Sequence, residues 1–184
     1  MLRVGVFTHP FGVRSLVQDQ LLSAMAGHPV LEHLDVRRSL RTSSEGICTI
    51  LTCPRLRTLD MMSMKHLGRG SLEMWTAIGQ HPSLQRIWLV AIPGFDDVGA
   101  RLAFCPTSKL VCVGFDSNLV TDATIQALSQ VRTLEKLNLS YCSSVTDAAM
   151  HHLASCEHLK AISFSFMSTI TPEGFQQLVR CRVS

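Results

Sequence analysis

The residues best equipped for chemistry are His151-His152, Cys156 and His158, a short span rich in metal-binding side chains. Thiolate and imidazole are the usual zinc donors. Adjacent histidines on a helix point about 100° apart and converge poorly on one ion. Cys156 also recurs at a fixed place in a repeat described below, so no metal site is expected. A Cys/His nucleophile needs a base aimed at an exposed thiol. Of the seven cysteines only Cys112 is expected on the accessible face, with no histidine at matching height in a neighbouring repeat. The chain contains neither a GxxxxGK(S/T) nor a GxGxxG phosphate loop, and Asp96-Asp97 and the Thr-Asp pairs are expected as helix starts. No catalytic residue, metal or cofactor is expected, and the chain is not expected to be an enzyme.

The elements that carry these residues repeat. Aligned on Leu/Met/Ile-x-x-(Cys/His/Val)-x-x-Leu-x-x-Leu-x-Leu, the chain yields six units. Met25 and His28 lead to Leu31, Leu34 and Val36. Ile50 and Cys53 lead to Leu56, Leu59 and Met61, and Ile78 and His81 to Leu84, Ile87 and Leu89. Leu102 and Cys105 lead to Ser108, Val111 and Val113, Leu128 and Val131 to Leu134, Leu137 and Leu139, and Leu153 and Cys156 to Leu159, Ile162 and Phe164. Units thus begin near 31, 56, 84, 108, 134 and 159, and such a near-constant period is the signature of a solenoid. Met1-x-x-Val4-x-Val6 would supply a degenerate first unit over 1–30. Each unit holds one strand and one helix that cannot bury their apolar faces alone, so stacking must complete the core. Thr121-Asp122, Thr146-Asp147 and Thr171-Pro172 are plausible helix starts, and Gly27, Gly68 and Gly94 mark turns.

The expected fold is one α/β leucine-rich-repeat domain over 1–184, a right-handed arc with a concave parallel sheet of about six or seven strands and convex helices. Composition agrees with a folded chain: 46% of residues are hydrophobic and 17% charged, with net charge +3. The cations are scattered, which argues against a nucleic-acid footprint. No apolar run approaches the ~18 residues that span a bilayer. Seven cysteines without a CxxC pair point to unpaired thiols and a reducing compartment; Cys53, Cys105, Cys156 and Cys181 share one repeat position and are expected in packing. An intracellular setting follows, cytoplasmic or nuclear. Arg3, Arg14 and the lack of an acid before Asp19 leave a mitochondrial presequence as the alternative to a plain first strand. Neither terminus carries an obvious polar cap, so the ends are expected to meet a partner or further repeats.

The segment LEKLNLSYCSSVTDAAMHHLASC, Leu134 to Cys156, resembles the cysteine-containing leucine-rich repeat, LxxLxLxxCxx(I/V)TDxxxxxLxxC. The following unit, LKAISFSFMSTITPEGFQQLVRC, matches with Met167 in place of the cysteine, and LVTDATIQAL shows the same turn and helix with one inserted residue. Such repeats form the substrate-recognition arm of F-box-type ubiquitin ligases and of related adaptors without an F-box. The resemblance implies a non-catalytic protein-binding scaffold, although the roughly 30 residues before the first clear unit hold no F-box. A short repeat protein is also similar to the mitochondrial coupling factor B type of assembly subunit. That makes a structural or assembly subunit of a large complex the alternative.

A protein partner would meet the side chains between the strand leucines, on the concave face. Trp88, Val90, Leu110 and Cys112, with Met62 beside them and Arg86 in the adjoining column, are expected to form an apolar patch in a polar sheet. Phe115, Tyr141 and Phe166 are expected to form an aromatic row along one rim. Exposed apolar clusters mark interaction sites, and Trp and Tyr are favoured as hot spots. Asp35, Asp60, Arg37, Arg38 and Arg57 are expected as a charged end to the same surface, and Trp75 as core. No nucleic acid or membrane is expected as a partner.

Overall fold

The computed structural model describes residues 2–5, 18–67 and 71–183, with side chains from 18 to 67 and from 71 to 179. The expectations at Val6, Arg14 and Gly68 and for the Cys181 side chain lie outside the described residues. Strands and helices alternate: β1 Leu2–Gly5, α1 Asp19–Ala24, β2 Leu31–Asp35, α2 Ser44–Ile50, β3 Thr58–Asp60, α3 Leu72–Gln80, β4 Arg86–Leu89, α4 Asp97–Ala103, β5 Cys112–Asp116, α5 Asp122–Leu128, β6 Lys136–Ser140, α6 Ala148–Ala154, β7 Ala161–Ser165 and α7 Pro172–Val183. The seven strands form one sheet in sequence order, and every neighbouring pair is parallel. Each helix packs against the next, from α1 to α7. The arrangement is solenoid-like, and β1 supplies the seventh strand, with Val4 opposite Leu34.

The leucine columns run into the helices. Leu34, Leu59, Ile87, Leu137 and their partners two positions on are buried. At the centre Trp75, Phe95, Phe104 and Phe115 form an aromatic cluster with ring centroids 5.1–6.0 Å apart. Trp75 is therefore core, as its helix position implies.

One strand departs from the expected frame. In β5, Cys112 pairs with Arg86 and Lys136, Val113 with Ile87 and Leu137, and Phe115 with Leu89 and Leu139. The inward strand residues are Leu110, Val113 and Phe115 rather than Val111 and Val113, while Ser108 is also buried, its N–H donating to the Cys105 carbonyl at 2.9 Å. Leu110 and Phe115, expected on the concave patch and the aromatic rim, are both fully buried. The slip is two residues, so it preserves the alternation of faces. It prevails because it buries a leucine and a phenylalanine, worth about 1.5–3 kcal/mol each relative to exposure.

The slip also explains the turn that follows. Arg38, Ser63, Ala91, Tyr141 and Phe166 all take left-handed backbone, with φ between 54° and 61°. For a side chain other than glycine this costs roughly 1–2 kcal/mol. The conformation returns an N–H to the sheet: Arg38 donates to the Met62 carbonyl at 3.0 Å, Ser63 to Val90 at 2.8 Å and Tyr141 to Ser165 at 3.1 Å. After β5 the turn from Phe115 to Val120 is one residue shorter than that from Leu139 to Val145, and no left-handed residue occurs in it. It is thus a deletion rather than the expected insertion. There the Asp116 carboxylate, not a carbonyl, accepts from the Ala91 N–H.

Side chains tie neighbouring units together. Cys53 Sγ donates to the Met25 carbonyl and Cys105 Sγ to Gly79, both at 3.3 Å. His81 fills the same slot with an imidazole: Nε2 meets the Cys53 carbonyl at 3.1 Å, and Nδ1 accepts from the Leu84 N–H at 3.0 Å. An accepting Nδ1 places the proton on Nε2, the neutral ring, and burial pushes the His81 pKa below its ordinary value near 6.5. On the helix side, the Asp97 carboxylate accepts from the Thr121 N–H at 2.9 Å, the Thr121 hydroxyl at 2.8 Å and the Thr124 hydroxyl at 2.6 Å. Asp122 receives Thr146 in the same way, and Asp147 receives Thr171. The Thr-Asp dipeptide thus does more than start a helix. Thr121 caps α5 by accepting from the Ala123 N–H, while the aspartate beside it holds the threonine of the following unit.

Candidate functional site

The sheet face away from the helices carries the residues between the buried columns. Across β4, β5 and β6 one row reads Arg86, Cys112 and Lys136, and the next reads Trp88, Gly114 and Asn138. Gly114 is decisive for Trp88. A Cβ added there would lie 3.0 Å from Trp88 Cδ1 and 3.4 Å from Nε1, so the indole lies against the bare backbone of β5. Trp88 is half-buried in consequence, and Gly114 is covered. Val90 and Met62 lie just beyond β4 and β3, both half-exposed, and the Ser63 N–H next to Met62 donates to the Val90 carbonyl at 2.8 Å.

At the β2–β3 end the face is charged and internally paired. Asp35 Oδ2 lies 2.6 Å from Arg37 Nη2, and Asp60 Oδ2 lies 3.4 Å from Arg37 Nε. Burial raises the Asp60 pKa despite the Met62 N–H and Arg37, while the hydrogen bond from Arg37 to Asp35 raises the arginine's. Arg86 and Lys136, by contrast, are exposed and make no ion pair among the described residues. Cys112 lies between them. Burial raises its thiol pKa against the pull of both cations, which disfavours the thiolate a nucleophile requires.

Beyond the strand ends the turns form a second surface. Tyr141 is 53% and Phe166 73% exposed, and their rings stack with centroids 4.5 Å apart and planes 10° from parallel. Tyr141 is also one wall of a cleft of about 430 Å³ lined by Lys65, Ile92, Pro93, Asp116, Asn118 and Leu119. The left-handed turn residue swings each aromatic off the sheet, leaving two large rings in solvent. Offset stacked rings attract by about 0.5–1.5 kcal/mol beyond the area they bury.

Of the residues expected on this surface, the structure gathers Met62, Arg86, Trp88, Val90 and Cys112 on the open face and Tyr141 with Phe166 at the turn edge. Leu110 and Phe115 are withdrawn into the core. Gly114 and the cleft residues Lys65, Pro93 and Leu119 were not anticipated. On the opposite edge a hollow of about 500 Å³ is lined by Cys156 and His158 with Ser129, Arg132, Ser155 and Glu157. Among the described residues no three His, Cys, Asp or Glu side chains are placed to hold a metal ion, and no helix is long and apolar enough to cross a membrane. No family model matches the sequence, and a search of the curated proteins finds no match either.

Proposed function

We propose that the chain is a leucine-rich-repeat module of the cysteine-containing kind that binds a protein partner. The observation that carries this reading is the exposed Tyr141–Phe166 stack beside the turn-edge cleft; Met62, Trp88 and Val90 on the open face are partly exposed as well. A soluble surface rarely leaves such a cluster without a use. The repeat spacing, the in-order parallel sheet and the Thr-Asp relay support the repeat reading. An adaptor or substrate-recognition arm, as in F-box-type repeat proteins, is the leading form.

A structural subunit of a larger assembly, mitochondrial or otherwise, is the second reading. It is favoured by the β7–α7 end, where Phe164, Phe175, Leu178 and Val179 line a hollow of about 220 Å³ and Val179 is 61% exposed. The test is affinity purification from the native cell, with wild type and a Tyr141→Ala/Phe166→Ala variant compared by mass spectrometry. A cullin and its adaptor, recovered by wild type and lost by the variant, supports the first form; a stoichiometric large assembly supports the second. A partner set unchanged by the double substitution removes the turn edge from the binding surface.

A further inference from the structure

Three strands of the open face carry an arrangement that points to the chemistry of the partner. Arg86 and Lys136 stand in register on either side of Cys112, two strand spacings or about 10 Å apart. Both are exposed. The nearby carboxylates have other hydrogen-bond or ion-pair partners: Glu135 binds Lys160 at 2.8 Å and interacts with Lys136 only through its longer-range charge, Asp60 pairs with Arg37, and Asp116 accepts from the Ala91 N–H. One row above, the Trp88 indole rests on Gly114 and forms an aromatic platform between the two cations.

We infer that this saddle docks an acidic, proline-containing segment of a partner protein in an extended, polyproline-like conformation. Its two carboxylates meet Arg86 and Lys136, and its proline rests on Trp88. This rests on the protein-binding reading above and names the partner class for the same face. The spacing accommodates the conformation, and the exposed face of Trp88 favours it. A polyproline helix rises about 3.1 Å per residue with three residues per turn, so side chains at i and i+3 share a side about 9 Å apart. That matches the separation of the two cations. A β-strand presents same-side residues at only about 6.6 Å. Aromatic-lined grooves are the usual seat for such segments. Carboxylate pairing with exposed cations adds partner choice and salt sensitivity more than raw affinity.

The test is a phage-displayed random 12-residue peptide library, panned on the wild-type chain, on Arg86→Glu/Lys136→Glu and on Trp88→Ala. Each variant is first confirmed folded by circular dichroism, and Arg86→Gln/Lys136→Gln replaces the charge reversal if that variant fails to fold. Clones from wild type are expected to carry two acidic residues three apart with proline between them. A synthetic peptide from the leading clone should bind about tenfold or more weaker to the charge variant by fluorescence anisotropy, and weaken as salt rises. Clones that need Trp88 but carry no acidic pair overturn the acidic partner and leave the binding face standing. No enrichment over blank resin overturns both. A twelve-nucleotide oligothymidylate bound as tightly as the peptide, with the same sensitivity to charge reversal, would assign the saddle to nucleic acid and overturn the proposal.

Discussion

Phe115 separates the two possible frames of β5 more sharply than any other residue. In the structure its ring is fully buried, 5.5 Å from Phe95 and 6.0 Å from Phe104 by centroid. Phe115→Ala deletes the ring and leaves a cavity that the flanking aromatics cannot fill, for which buried phenylalanines cost about 3–5 kcal/mol. Two lost aromatic contacts of about 0.5–1.5 kcal/mol each place the expectation in the upper half of that range. For a chain of this length it corresponds to a drop in Tm of roughly 8–20 °C. The control is Phe166→Ala, which removes a ring 73% exposed and should cost no more than about 1 kcal/mol. Urea unfolding followed by far-UV circular dichroism, with thermal scans alongside, measures both. If Phe115→Ala costs under about 1 kcal/mol, the ring is not in the core. The strand would then follow the frame with Val111 and Val113 inward.

Three further outcomes follow from other sites. His81 is held neutral in the fold and its pKa is depressed by burial, so the unfolded chain binds the extra proton. Stability from this residue is full above pH 6.5 and is lost as pH falls towards the folded-state value, by at most about 1.4 kcal/mol per pH unit; His81→Gln should flatten that part of the pH profile while lowering stability at pH 7.5. At Asp97, desolvation raises the pKa but the Thr124 and Thr121 hydrogen bonds prevail and hold it low. Asp97→Ala should therefore cost roughly 1–3 kcal/mol in urea melts at pH 7, and the cost should shrink as pH drops below the ordinary aspartate range; an equal cost at both pH values refutes the charged relay. Gly114→Ala should lift the Trp88 indole off β5, raising acrylamide quenching and red-shifting emission; unchanged quenching means the ring does not rest there.

Much of the scaffold was legible because it obeys a period. The buried columns through Leu34, Leu59, Ile87 and Leu137, the slot of Cys53, His81 and Cys105, and the caps at Asp96 and Thr121 each follow from one residue type at one spacing. β5 departs from the expected frame because Leu110-x-x-Val113-x-Phe115 also satisfies the pattern, while a near-constant period favours the frame two residues earlier. Aromatic bulk is the better guide, since burying Phe115 removes more apolar surface from water than burying Val111, which stays partly exposed. The surface was legible only in part. Trp88, Val90, Tyr141 and Phe166 announce themselves as apolar residues at polar positions. The cleft through Lys65, Pro93 and Leu119 is assembled from turns about 25 residues apart, and no local pattern encodes it. Gly114 carried a signal that was available: a glycine in a strand often marks the close approach of something else.

The aspartate relay is not continuous along the chain. Asp19 accepts from the Ser43 N–H across α1 and α2, and the Asp97, Asp122 and Asp147 links join α4 through α7. α3 meets α4 instead through close packing: Gly99 lies against the Trp75 indole, and Gly79 against the Leu102 carbonyl. Between α2 and α3 neither device recurs among the described residues, and the helices are tied instead by the weaker Cys48–Ser71 side-chain hydrogen bond. In an array held by nearest neighbours, cooperativity is set at each junction, so a weak one divides the molecule into separately opening units. Native-state hydrogen exchange should find the amides of α1 and α2 opening together at a lower free energy than those of α4 to α6. The proposed docking saddle and the aromatic stack would then both ride on the slower-exchanging block, and the charged β2–β3 end could unfold and reform without releasing what they hold.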